Sequence, residues 1–246
     1  MISTKIIKTI KSKVPKDENN KIYLNVLTWH DENHINGSKY HVFSPYNLKT
    51  DGKEDQHNGG SVLFENFWQG SKVWKNVYDI QIWAHPNLKG VSNHKWFEYT
   101  CDNKMGVEIH YNNFNKIEKK YYEWRDEIWN CAKPIRYPNG FKKQKDVLFC
   151  LYKDKMGIET KLNFIESRKQ IYLKEYCRLI RNLDLYKELL NLLNNDFELV
   201  ICEIDVLDNK VLDLELLEKM IVDDKIKFGH GLCLAYALLN DFCKQN

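Results

Sequence analysis

Glu65, Gln69 and Lys72 offer a carboxylate, a carboxamide and an amine, side chains that together can move protons or stabilise developing charge. They lie in the segment NGGSVLFENFWQGSKVW, residues 58–74, at intervals of four and three. At helical spacing they fall within an arc of about 60°. Leu63, Phe64, Phe67, Gly70 and Trp74 gather on the opposite side as a core stripe. By spacing alone the polar arc reads as a solvated face with a helix-supporting charge pattern. Against that, the arc is narrow and is bordered by Trp68, Val62 and Val73. Gly59 and Gly60, just upstream, would let a ligand or another backbone approach the helix start. A carboxylate and an amine sharing an apolar hollow would suit acid–base or nucleophilic chemistry.

Several elements must hold such a helix. KIYLNVLTW (21–29) alternates apolar and polar positions and predicts a strand. YHVFSPYNL (40–48) reads as a short extended piece between loops, and Ser61 is placed to cap the helix that follows. Tyr111–Trp129 predicts a second helix, ending before Pro134, with a turn at Pro138-Asn139-Gly140. DVLFCLY (146–152) predicts a buried strand, and Ser167–Asn182 with Leu183–Asn194 a helical hairpin. ELVICEIDV (198–206) has the β-branched richness of a central strand. Leu212–Val222 should be helical, and FGHGLCLAYALL (228–239) runs from a Gly-rich turn into a final apolar helix. Residues 1–20 are basic and polar and read as a loose arm or a short helix ended by Pro15. The expected fold is α+β, a single mainly helical domain around a small sheet over residues 21–246.

With 43% apolar and 29% charged residues, the 246-residue chain has the make-up of a globular domain. Its net charge of +3 is too small to argue nucleic-acid binding without local clustering. The seven cysteines are scattered, odd in number and without a C-x-x-C pair, so they read as reduced thiols in a cytoplasmic compartment. No apolar run approaches a membrane span, and no secretory signal opens the chain.

Ser44-Pro45-Tyr46, followed by Glu65, Trp68, Gln69 and Lys72, resembles the NADAR superfamily, marked by an extended S-P-[FY] piece and then a helix of form E-x-x-[YWF]-Q-x-x-K. RYPNG, ESRKQIYLKEY, ICEID and FGHGLCLAYALL are similar to a branch found in large DNA viruses and phages, over most of residues 40–240. The link to characterised members rests mainly on residues 43–74. Those members are N-glycosidases that cleave a ribosyl–nitrogen bond, in phosphorylated pyrimidine intermediates of riboflavin synthesis or in ADP-ribosylated guanine of DNA. The resemblance implies Glu65 as the essential carboxylate and Lys72 as the essential amine, with Ser44, Tyr46, Trp68 and Gln69 shaping the site. It implies a nucleotide or ADP-ribosyl substrate, with DNA as a possible partner, in the host-cell cytoplasm, and calls for no cofactor. The family's W-G-x-G segment has no counterpart here, which leaves the substrate class open.

Cleaving such a bond builds positive charge on the sugar, which a fixed carboxylate stabilises or relieves by activating water. A nearby lysine can protonate the departing base or attack the anomeric carbon. Glu203 and Asp205, two apart on a strand, share a face and read either as a strand end in water or as ligands for a ribose or base. His230, between two glycines at a helix start, stands where free amides can receive a phosphate, or be satisfied by the backbone. Arg168 and Lys169, with Lys142, Lys143 and Lys145, read as a solvated charge run or as neutralisers of a diphosphate or DNA backbone. Trp29, Trp83, Trp96, Trp124 and Trp129 suit packing more than base stacking, and His30, His34, His41 and His57 lack metal-ligand spacing. Two rivals to an enzyme remain: a non-catalytic ADP-ribose or nucleotide-binding module, and a structural or host-interaction protein with a degenerate site.

Overall fold

Ile2–Ile6 (β1), expected within a loose arm, is a strand with Ile2 and Thr4 buried. The computed structural model describes residues 1–8, 12–28, 38–50, 61–74, 76–78, 82–84, 97–99, 107–109, 111, 115–132, 134–136, 147–153 and 156–245. Trp29, His30, His34, His57, Gly59, Gly60, Trp96, Cys101, the Pro138-Asn139-Gly140 turn, Lys142, Lys143 and Lys145 lie outside these residues, as does the Trp83 side chain.

Along the chain follow Lys21–Asn25 (β2), a 3₁₀ turn at Lys39–Phe43, Phe64–Gly70 (α1) and Lys72–Trp74 (β3). Next are Asn76–Tyr78 (β4), Ile82–Ala84 (β5), Phe97–Tyr99 (β6), Val107–Ile109 (β7), Lys119–Asn130 (α2) and Ile135–Arg136 (β8). Val147–Lys153 (β9), Glu159–Leu162 (β10) and Phe164–Ser167 (α3) precede a π-helical turn at Arg168–Leu173. The chain closes with Lys174–Ile180 (α4), Asp184–Asn194 (α5), Glu198–Glu203 (β11), Val211–Leu212 (β12), Leu214–Val222 (α6) and His230–Gln245 (α7).

This is the mixed helix and strand content expected of an α+β chain, but it divides into two compact units rather than one. The first combines Met1–Leu48 with Arg168–Asn246, and the second is Lys49–Ser167. In the first unit the strand order is β12-β1-β11-β2. β1, β11 and β2 are parallel, with Ile2 opposite Leu199 and Leu199 opposite Ile22. The arm reading failed because the lysines of residues 1–20 hide a five-residue strand, and β1 supplies one of the two parallel neighbours of β11. β11 is buried from Leu199 to Glu203, as its apolar run requires in a parallel sheet. α7 is buried around most of its first half, from His230 to Leu238, and so forms a core helix. Asp213 starts α6 by accepting from Leu216 N at 2.7 Å.

In the second unit β10-β9-β3 form an antiparallel sheet, β4 pairs with β7, and β5-β6-β8 make a third set. Asn163 and Glu166 satisfy each other's backbone N–H at 2.9 Å in a capping box that starts α3. Three boundaries differ from expectation. The FSPYN stretch is not extended: Ser44 Oγ accepts from Tyr46 N, and Ser44 O accepts from Asn47 N and Leu48 N, which closes a turn. The second helix begins at Lys119, because Asn115 takes a left-handed φ of 61° and Tyr111 instead bridges Ile117. Ser61 donates to Thr50 O, and Leu63 occupies the start of α1 with no side-chain cap. Among the described residues, no helix is long and apolar enough to cross a membrane.

Candidate functional site

α1 is only seven residues long, yet Glu65, Asn66 and Gln69 on it are all buried. α2 explains how it is held. Phe67 stacks on Trp129 with ring centroids 5.7 Å apart, and Asn66 Nδ2 donates to Cys131 O at 3.0 Å. Tyr121 OH donates to Gly70 O at 3.0 Å, which satisfies a carbonyl at the helix end. Burial pushes the Tyr121 hydroxyl far above its ordinary range, so it remains a neutral donor. A Cβ at Gly70 would lie 2.4 Å from Trp129 Nε1, so any larger residue would push the indole out of its place.

Lys72 does not continue the helix, contrary to the expectation of one helix carrying all three polar residues. Ser71 ends it by donating from Oγ to Trp68 O at 2.8 Å, while its carbonyl accepts from Leu151 N at 2.7 Å. Lys72 and Val73 then pair with Cys150 and Phe149 of β9. The β-branched and aromatic residues after Gly70 gain a buried sheet position, which outweighs the helical period. The three side chains still meet. Gln69 Nε2 donates to Glu65 Oε1 at 2.8 Å, and Lys72 Nζ donates to Gln69 Oε1 at 2.9 Å. Lys72 Nζ also sits 4.8 Å from the centre of the Trp68 ring, a cation–π distance. Glu65, Gln69 and Lys72 are 7%, 5% and 2% exposed. The polar arc is therefore not a solvated face.

This arrangement is a wire of acid, amide and amine. Gln69 fixes the carboxylate and the ammonium on opposite ends of one carboxamide, and Trp68 covers the amine. Such a group can hold a carboxylate rigidly beside a developing cation and offer a proton from nitrogen. Cys150, opposite Lys72, is a buried neighbour that reasoning from sequence left unconnected to it. Burial pushes its thiol up, while Ser167, the Lys72 charge and Ser71 pull the other way. It is packed as a thiol.

The chain matches no family model, no curated protein and no solved structure.

The first unit holds the other expected residues. Ser44 and Tyr46 are buried in the turn described above. Arg168 is not presented to a diphosphate: Nη1 donates to the carbonyls of Met220, Ile221 and Asp223, and Nη2 to that of Ile226, at 2.8–3.1 Å. It clasps the end of α6, whose last carbonyls need donors. Asp205 does not share a strand face with Glu203, because β11 ends at Glu203 and Asp205 pairs with Lys227 at 2.7 Å. Glu203 faces inward, not water. Its Oε2 accepts from Gly231 N at 3.0 Å and its Oε1 lies 3.2 Å from His230 Nδ1. The amide at the start of α7 thus receives a carboxylate from the same chain in place of a phosphate. The glycines beside His230 make room for it, since a Cβ at Gly231 would lie 2.5 Å from Glu203 Oε2. His41 Nε2 donates to Thr28 O at 3.0 Å and its Nδ1 meets Asn47 Nδ2 at 2.5 Å, which assigns it to the turn. Trp124 and Trp129 are buried packing residues. Among the described residues, no cluster of three His, Cys, Asp or Glu could hold a metal.

Proposed function

We propose that the chain is an N-glycosidase of NADAR type, hydrolysing a ribosyl–base bond in an ADP-ribosylated nucleobase or a phosphorylated nucleoside-like metabolite. The observation that carries this is the buried Glu65–Gln69–Lys72 wire with Trp68 over the amine. Glu65 stabilises the oxocarbenium-like sugar or takes the proton of the attacking water. Lys72 supplies a proton to the leaving nitrogen, and Gln69 positions both. An acid and an amine held this way are already oriented, so little reorganisation accompanies the reaction.

The test is incubation of the full chain with ADP-ribosylated DNA, NAD-derived nucleotides and riboflavin-synthesis intermediates, with products read by mass spectrometry. Base release from one of these by the wild type, lost on Glu65→Gln in a folded protein, supports the proposal. A second reading is a non-catalytic ADP-ribose or nucleotide-binding module, in which Lys72, 2% exposed, takes no part in chemistry. Binding of ADP-ribose without base release would select it.

A further inference from the structure

Glu203 and His230 close a circuit that determines its own proton count. Val26 O can only accept, and His230 Nε2 lies 2.7 Å from it, so Nε2 carries a hydrogen. His230 Nδ1 lies 3.2 Å from Glu203 Oε1, and a lone pair facing a carboxylate lone pair would be repulsive. Gly231 N donates to Oε2, which leaves Oε1 for the imidazole. Glu203 and His230 are 6% and 5% exposed, so water does not relieve the mismatch. One further hydrogen must lie between Nδ1 and Oε1, as imidazolium against carboxylate or as imidazole against carboxylic acid. The same circuit joins the start of α7 to the chain just beyond β2 and to the last residue of β11.

We propose that Glu203 and His230 share this single proton, and that it makes the anchorage of α7 to the parallel sheet proton-dependent. Asp205 and Lys227 lie near the pair and are salt-bridged to each other at 2.7 Å. The Tyr176 ring of α4 stands 6.5 Å from the His230 ring, and Cys233 lies one turn on along α7. Burial pushes the Tyr176 hydroxyl and the Cys233 thiol well above their ordinary ranges, so both stay neutral. Burial likewise raises Glu203, against the pull of His230. The sign follows. An unfolded chain loses the histidine proton near pH 6.5 and the glutamate proton near 4.3, roughly. The folded pair keeps one of them at higher pH. Between about pH 4.3 and 6.5 both states hold one proton and the contribution is full, and it is lost as pH rises above about 6.5 toward the folded pair's own transition.

The experiment is urea unfolding of the full chain between pH 5.5 and pH 8.5, roughly that window around a free histidine, for wild type and Glu203→Gln. The wild-type unfolding constant should rise above about pH 6.5 by up to tenfold per pH unit relative to the variant. In Glu203→Gln the carboxamide N–H can donate to a bare Nδ1 and its oxygen can accept from Gly231. That pins a neutral imidazole, so the variant should instead lose stability as pH falls below about 6.5. Parallel profiles for the two proteins would overturn the proposal. Should the variant not fold, the imidazole nitrogen resonances of the wild type decide at neutral pH. Hydrogen shared at Nδ1 as well as Nε2 supports the pair, and a bare Nδ1 beside an ionised Glu203 overturns it.

Discussion

Gln69 keeps an acid and an amine from meeting directly. Its carboxamide donates to Glu65 and accepts from Lys72, so each buried group has a partner of the right polarity. Gln69→Leu has nearly the same volume but breaks both bonds, and a hydrogen bond to a charged group contributes about 1.5–3 kcal/mol. We expect urea unfolding of this variant to show a loss on the order of 3 kcal/mol, because the two groups stay buried without the amide. A loss below 1 kcal/mol, roughly the net worth of one ordinary hydrogen bond, would mean that the Gln69 amide contributes little to holding either group. Arg168 is a comparable case in the first unit, where one guanidinium serves four carbonyls. Arg168→Lys keeps the charge but not the planar fork, so it should cost stability although the substitution is nominally conservative. Equal midpoints for Arg168→Lys and wild type in thermal unfolding would contradict that role.

At the scale of elements, α1 is set by what it leans on more than by its own propensity. Gly70 lies against the Trp129 ring, and the Phe67–Trp129 stack fixes the approach. Gly70→Ala normally favours a helix, yet here it should destabilise by about 1–3 kcal/mol through overpacking. A stabilised Gly70→Ala protein would refute the close contact. The spacing of four put Glu65 and Gln69 on one face of α1, where the structure pairs them, and the β-branched richness of ELVICEIDV located the central strand β11. What it hid has physical causes. Glu65, Gln69 and Lys72 fit a helical period that Ser71 interrupts, and the partner strand that draws Lys72 into a sheet lies more than seventy residues away. β1 was masked by the lysines that follow it, since its pairing with β11 is fixed by residues near 200. Glu203 stood out by its place on a strand two residues from Asp205, and His230 by its flanking glycines, but only the fold shows that they bind each other.

At the scale of the whole molecule, each of the two compact units carries a buried polar cluster. Acid stability belongs to this scale. Asp241 accepts from Arg181 at 2.7 and 2.8 Å and from Tyr186 at 2.7 Å, joining α7, α5 and the end of α4. Burial would raise its carboxyl, but the Arg181 and Tyr186 hydrogen bonds prevail and hold it below the ordinary range. A depressed carboxylate stabilises above the unfolded value of about 3.9 and loses that contribution as pH falls through its folded value. Asp241→Asn should therefore unfold more easily at neutral pH and lose less than wild type on acidification. Identical acid limbs in urea unfolding at pH 2–5, roughly spanning the carboxylate range, would contradict this.

The Glu65 carboxylate is the group on which the proposed chemistry turns. Mass spectrometry of products from the ribosyl substrates, comparing wild type with Glu65→Gln, tests it most directly. Release of free base by the wild type, falling by about 100-fold or more in a folded Glu65→Gln protein, is the expected result. Base release that persists at the wild-type rate in that variant would contradict it.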